Sequence, residues 1–283
     1  MGVSVPEKTL ENWATQYLAY RYRAKASMWW PARGEDLTTS TPTKPGKLTL
    51  IEYKTSTVRA GGRHEVLVEL GQLSDYLARR RSLRPFYAFP LPWWSDALLT
   101  SVGPGAWQAA YSRSGALWFA RWMHIMTADE VGSVLSVELT RFRSSGAKEK
   151  KVPLVEVDAT TGATIWAPDS SALPWLSTWR WLDFWPQIDR CGIPGWPGLV
   201  RVPRRLLPSG RRFSRAVVMR ALADVASAPE NFSDDASILL EPSDSALYEV
   251  VELIDPRTDD SARGTGESHG EQAVFIDASA LIA

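Results

Sequence analysis

The run Lys47-Leu48-Thr49-Leu50-Ile51-Glu52-Tyr53-Lys54-Thr55-Ser56-Thr57 constrains this chain more than any other stretch. Its β-branched and aromatic residues follow the turn cluster Pro42-Thr43-Lys44-Pro45-Gly46, which predicts a strand entered from a tight hairpin. Side chains alternate across a strand, so Leu48, Leu50, Glu52 and Lys54 share one face and Thr49, Ile51 and Tyr53 take the other. An acid and an amine thus stand side by side at the edge of an apolar floor. Residues 34–40 are the expected antiparallel partner, and such a hairpin would return Asp36 to the neighbourhood of Glu52.

Two carboxylates converging on one point repel, and a hard divalent cation between them relieves the repulsion. Mg²⁺ takes a few carboxylates, several waters and substrate phosphate oxygens in preference to an all-protein cage. Such an ion polarises a phosphoryl oxygen and generates hydroxide near neutral pH. A lysine beside it neutralises charge that builds up in the transition state. These are the parts of phosphodiester hydrolysis.

Downstream, residues 65–80 predict a helix on which Gln72 and Tyr76, four apart, share a face. The order Asp36, then Glu52-Tyr53-Lys54, then Gln72-x-x-x-Tyr76 resembles the PD-(D/E)XK nuclease superfamily, in its RecB-like branch. Gly34-Glu35-Asp36 stands where that superfamily carries Pro-Asp. The resemblance spans residues 1 to 90–130 and leaves the remainder unaddressed. It implies a Mg²⁺- or Mn²⁺-dependent deoxyribonuclease with Asp36 and Glu52 as metal ligands and Lys54 orienting water. Gln72 and Tyr76 would position the scissile phosphate or flanking bases. Relatives often carry a glutamate on the first helix facing the metal. Glu11 is the candidate, with Glu7 second, and an ordinary solvated helix acid is the competing reading.

Net charge is zero, but residues 224–283 hold 14 of the 32 acidic residues and only 2 of the 32 basic ones. The body is accordingly basic and suits a polyanionic partner, while the acidic tail is a candidate mimic of nucleic acid that competes for the same surface. Between Asp189 and Asp224 lie eight arginines and no acid. Arginine suits bidentate phosphate contact. Candidate nucleic-acid contacts are Arg204, Arg205, Arg211 and Arg212 there, with Arg59 and Arg63 in a basic loop and Arg79 and Arg80 closing the helix of Gln72. His64 is expected to open that helix.

The single cysteine, Cys191, excludes a disulfide framework and a cysteine-based cluster. No secretory signal is read ahead of the first helix and no apolar run reaches membrane-span length, so a cytoplasmic setting without membrane contact is the expectation.

The expected fold is α/β: a mixed central sheet flanked by helices, restriction-endonuclease-like, with a C-terminal α+β extension. A first helix starts near Val5 and carries the stripe Leu10, Trp13, Ala14, Tyr17 and Leu18. Residues 86–90 read as a buried strand, 93–110 as including a helix, and 116–126 as a strand or a buried helix. Thr127-Ala128-Asp129-Glu130 has capping-box spacing. Residues 137–143, 152–157 and 163–167 read as strands, with Lys148, Lys150 and Lys151 solvated between the first two. A helical stretch rich in tryptophan (Trp175, Trp179, Trp181, Trp185) follows. The expected organisation is a nuclease core over 1–136, an accessory region over 137–254 and a disordered acidic tail over 255–283, whose apolar last residues could dock on something. Two rival functions remain: a nucleic-acid-binding or structural subunit of a larger complex (antiphage defence being one setting) that needs a protein partner or a second copy, and a pure interaction scaffold.

Overall fold

The computed structural model describes residues 6–32, 34–42, 44–58, 64–90, 119–147, 149–157, 164–166, 179–190, 193, 196–209, 213–228, 248–252 and 270–282. The chain is α/β, with a mixed sheet flanked by helices. Helix α1 (Glu7–Tyr22) buries the predicted stripe of Leu10, Trp13, Ala14, Tyr17 and Leu18. Strand β1 (Ala26–Trp29) follows a single 3₁₀ turn.

The expected strand at 34–40 does not form. Gly34 turns the chain at φ +79°, a left-handed conformation that favours glycine. The Ser40 N–H donates to the Asp36 carbonyl at 3.0 Å, which closes one helical turn, α2 (Leu37–Ser40). Strand β2 (Gly46–Tyr53) is as expected but shorter: all eight residues are buried, and it stops before Lys54, with β3 (Ser56–Val58) starting beyond.

The predicted helix at 65–80 begins five residues late. Residues 64–69 form β4 (His64–Glu69), so His64 opens a strand rather than a helix. The reason lies in Val66 and Val68, β-branched and alternating, which are fully buried in a strand paired to β3 on one side and to the later strand at Lys151–Val157 on the other. Only then comes α3 (Leu70–Ala78). Strand β5 (Phe86–Pro90) is as expected and fully buried. Of the segment 116–126, residues 123–126 lie in β6 (Met123–Thr127), 119–122 form a turn and 116–118 lie outside the described residues, as does the helix expected within 93–110. Thr127 caps α4 (Ala128–Val134) by a reciprocal box with Glu130.

The strand expected at 137–143 is instead α5 (Ser136–Ser145). Leu139 and Phe142, three apart, are buried together whereas Val137 is 44 % exposed, which is a helical period and not an alternation. Glu138 also accepts from Arg141 one turn on, at 2.9 Å, and Gly146 ends the helix at φ +65°. Strands β7 (Lys151–Val157) and β8 (Thr164–Trp166) match expectation. Lys150 is exposed, as expected, and its Nζ reaches Glu138 Oε2 at 2.6 Å. Lys151 is exposed, and Lys148 lies outside the described residues. After β9 (Trp179–Arg180), α6 (Trp181–Asp189) buries Trp181 and Trp185 completely. The chain ends through β10 (Leu199–Pro203), α7 (Arg215–Ser227), β11 (Tyr248–Glu252) and β12 (Gln272–Asp277).

These elements form two compact units interleaved in sequence. The first comprises Met1–Arg21, Glu52–Ala78 and Phe86–Phe184. Its strands β3-β4-β7-β8 and β5-β6-β9 pair antiparallel, and its core runs from Val66 and Val68 through Leu73, Tyr76 and Tyr87 to Val131 and Leu154. The second comprises Tyr22–Ile51, Arg79–Pro85 and Trp185–Ala283. In it β12 lies between β1 and β2, and β10 pairs with both β2 and β11. Leu48, Leu50, Leu199, Ala273 and Phe275 form its core.

Two expectations about organisation change accordingly. The boundary at 136/137 falls at the start of α5, inside one unit. Residues 272–277, placed in a disordered tail, are a buried strand in the middle of a sheet; the apolar C-terminal segment does dock, on its own chain. Gly46 shows how tightly: a Cβ there would fall 2.4 Å from the Ile276 carbonyl oxygen.

Candidate active site

The site grows from the C-terminal end of β2. Lys54 lies one residue past the strand, where its N–H donates to the Ala88 carbonyl at 2.9 Å and keeps it aligned with β5. Residues two apart share a strand face, and Lys54 Nζ accordingly donates to Glu52 Oε1 at 2.5 Å. Both side chains are largely removed from water, 5 % exposed for Glu52 and 13 % for Lys54.

Helix α3 closes the arrangement, because positions four apart on it face the same way. Gln72 Nε2 donates to Glu52 Oε1 at 2.9 Å, and Lys54 Nζ donates to Gln72 Oε1 at 3.1 Å. The Tyr76 hydroxyl donates to Glu52 Oε2 at 2.7 Å and accepts from Gln72 Nε2 at 3.0 Å. Four residues picked out along the sequence are thereby brought into one hydrogen-bonded ring.

Helix α1 adds carboxylates. Glu11 is buried and accepts from Lys8 Nζ at 2.6 Å, whereas Glu7, the second choice from sequence, is the acid that reaches Lys54, at 3.9 Å. Burial pushes the Glu7 pKa up; Lys54 opposes that, and the Glu52 and Glu11 charges reinforce it. For Lys54, burial favours the neutral amine, but Glu52 and Glu7 outweigh it and hold the pKa above its ordinary value, with a smaller contribution from Glu69. Lys54 is therefore an ammonium at neutral pH. Burial, with Glu11 adding to it, raises the Tyr53 hydroxyl well above the phenol range. Glu69 was missed in the sequence because its segment reads as helix; as the last residue of β4 it sits where the strand hands over to α3.

Other candidates stand elsewhere. Asp36 belongs to the second unit, on the exposed turn before α2 and not on a strand paired with β2. Its neighbour Glu35 stitches that turn, accepting from the Ala32 N–H at 2.7 Å and from Trp29 Nε1 at 3.3 Å. A Ser40 hydrogen bond first, then the one from Ala32, lowers the Glu35 pKa. Arg79, a candidate nucleic-acid contact, is corrected: it is buried and paired with Glu271 at 2.5 Å. Arg80, Arg204 and Arg205 are exposed, with Arg204 3.7 Å from Glu249. Arg59, Arg63, Arg211 and Arg212 lie outside the described residues.

Among the described residues no group of three or more His, Cys, Asp or Glu side chains is placed to hold a metal ion. The donor chemistry nevertheless suits a hard cation. Glu52, Glu11, Lys54 and Lys8 all act on Glu7, and Lys54 also feels Glu52 and Glu69, so four carboxylates stand against the two ammonium groups of Lys54 and Lys8. Mg²⁺ asks for only one or two protein carboxylates, with water and phosphate filling the remainder. Among the described residues no helix is long and apolar enough to cross a membrane. No protein-family model, curated protein or solved structure matches the chain.

Proposed function

We propose that this protein is a metal-dependent nuclease that hydrolyses phosphodiester bonds, DNA being the favoured substrate. The observation that carries this reading is the Glu52–Lys54 pair, 2.5 Å apart and held from α3, beside the acids Glu7, Glu11 and Glu69, which Lys54 and Lys8 together do not balance. A simple structural ion pair has no use for that surplus, because like charges gathered in a partly buried site destabilise each other.

Glu52 and Glu7 are the residues that would hold Mg²⁺ or Mn²⁺, while Glu11, bound to Lys8, acts on Glu7 through its charge. When bound, the ion would polarise a phosphoryl oxygen and make hydroxide available near neutral pH. Lys54 does the remaining electrostatic work: its ammonium would stabilise the negative charge that grows as water attacks phosphorus and the sugar oxygen leaves. Of the arginines proposed to contact nucleic acid, Arg80, Arg204 and Arg205 are exposed, as contact with backbone phosphates would require.

The test is cleavage of linear, circular and single-stranded DNA with Mg²⁺ or Mn²⁺, with chelator and Glu52→Gln as controls. Metal-dependent cleavage lost in Glu52→Gln is the expected result, and cutting of circles separates internal from terminal attack. Cleavage that survives both controls contradicts the assignment.

One observation favours a second reading, a subunit whose activity needs a partner. Both Glu52 oxygens already accept hydrogen bonds, Oε1 from Lys54 and Gln72 and Oε2 from Tyr76. A partner or bound DNA that draws Lys54 away would open the carboxylate. Binding of DNA without cleavage by the protein alone, and cleavage on adding a partner, would select this version.

A further inference from the structure

Resting on the nuclease reading, we infer that Gln72 and Tyr76 are positioning residues that fix the Glu52 carboxylate and the Lys54 ammonium, and that Tyr76 touches no nucleic acid. The resemblance implies contact with the scissile phosphate or bases; the side chains of this chain point to a different role. Tyr76 is fully buried within the first unit's core, its ring edge-on to Tyr87 with centroids 6.0 Å apart. Its hydroxyl is committed in both directions, donating to Glu52 Oε2 and accepting from Gln72. A phenol so packed cannot reach a duplex, but it can hold one carboxylate oxygen in a fixed direction.

Gln72 does the complementary task. One amide touches both members of the ion pair, its Nε2 donating to Glu52 and its Oε1 accepting from Lys54. When a ligand competes for Glu52, Oε1 still offers the ammonium an acceptor, so Lys54 stays aimed at the site. The spacing along α3 makes both contacts possible, since Gln72 and Tyr76 lie one turn apart on the same face.

The experiment uses the full chain with Tyr76→Phe and Gln72→Ala beside wild type. Cleavage is measured against Mn²⁺ and against DNA separately, and DNA affinity is measured by anisotropy in Ca²⁺. Positioning predicts kcat lower by about 10–100-fold with a raised Mn²⁺ requirement. KM for DNA and its Kd should stay within about twofold. A Kd for DNA weakened about tenfold at unchanged kcat would make Tyr76 or Gln72 a substrate contact and overturn the inference. A urea double-mutant cycle of Tyr76→Phe and Glu52→Ala reads the same bond without cleavage. Tyr76→Phe should lower the unfolding midpoint clearly in the Glu52 protein and much less in the Glu52→Ala protein. Equal shifts overturn the positioning role. If wild type cuts nothing yet the coupling is present, the nuclease reading falls and the positioning of Glu52 stands.

Discussion

Two buried acid–base pairs in this molecule share a contact distance of 2.5 Å, Lys54–Glu52 in the first unit and Arg79–Glu271 in the second. They differ in what surrounds them. Arg79 and Glu271 are 4 % and 1 % exposed and tie the residue after α3 to the residue before β12, 192 positions away. Lys54 is more open and stands among Glu52, Glu7 and Glu69, with two polar side chains from α3 holding the pair in place. A closely sealed pair between distant segments acts as a tether. A pair set among several acids and less fully sealed from solvent is what the proposed nuclease site requires.

The comparison breaks most visibly at Arg79. Arg79→Ala leaves Glu271 buried without this partner and should cost about 3–5 kcal/mol, whereas Arg79→Met with Glu271→Leu should recover most of that, because well-packed apolar pairs replace buried ion pairs at little cost. Urea unfolding measures both. A tether also requires that the double variant keep any DNA cleavage, which the same preparation can show. The acidic tail, read from the sequence as a candidate mimic of nucleic acid, cannot be tested by deletion: ending the chain at Ser227 would remove β11 and β12, the latter a central strand, and so would test folding.

A smaller effect separates stability from chemistry by pH. Burial, with Arg180 adding to it, lowers the His124 pKa to about 4 from 6.5. Between those values the unfolded chain binds the proton and the folded chain does not, so stability is full above about pH 6.5 and falls as pH drops towards 4. The loss should be about 3 kcal/mol, and His124→Gln should flatten that part of the stability–pH curve. An unchanged curve would mean His124 is protonated in the fold.

Reading the sequence succeeded where structure is decided locally. The end of β2, β5, β7 and the Thr127–Glu130 box each carry their signal within a few residues, and the Glu52–Lys54 contact follows from strand periodicity alone. Gln72 and Tyr76 were legible because a helix places residues four apart on one face. Failures came where partners decide. Val66 and Val68 fit a helical pattern until β7 pairs with them, and residues 137–143 alternate well enough to pass for a strand until Leu139 and Phe142 find one core. The choice of Glu7 over Glu11 depends on how α1 faces Lys54, which no spacing encodes. Gln272 and its neighbours looked like the end of an acidic linker because their sheet partners, Ile51 and Leu50, lie more than two hundred residues back.

The smallest expected effect serves as a calibration. Thr127→Ala removes the cap of α4, including the 3.1 Å bond from the Glu130 N–H, and should cost about 1 kcal/mol. Thermal or urea unfolding will show it, and cleavage per folded molecule should not change. A drop in cleavage with Thr127→Ala would mean that general destabilisation, and not the Glu52–Lys54 site, governs activity.

The most direct test of the central claim is the single-turnover DNA cleavage rate of Lys54→Met at saturating Mn²⁺, beside wild type. Methionine keeps much of the lysine stem and removes only the ammonium. The site described here predicts a loss of about 10²–10³-fold, with DNA affinity and unfolding midpoint nearly unchanged. A Lys54→Met protein that cuts at the wild-type rate would show that Lys54–Glu52 is a structural pair like Arg79–Glu271, and the nuclease assignment would lose its centre.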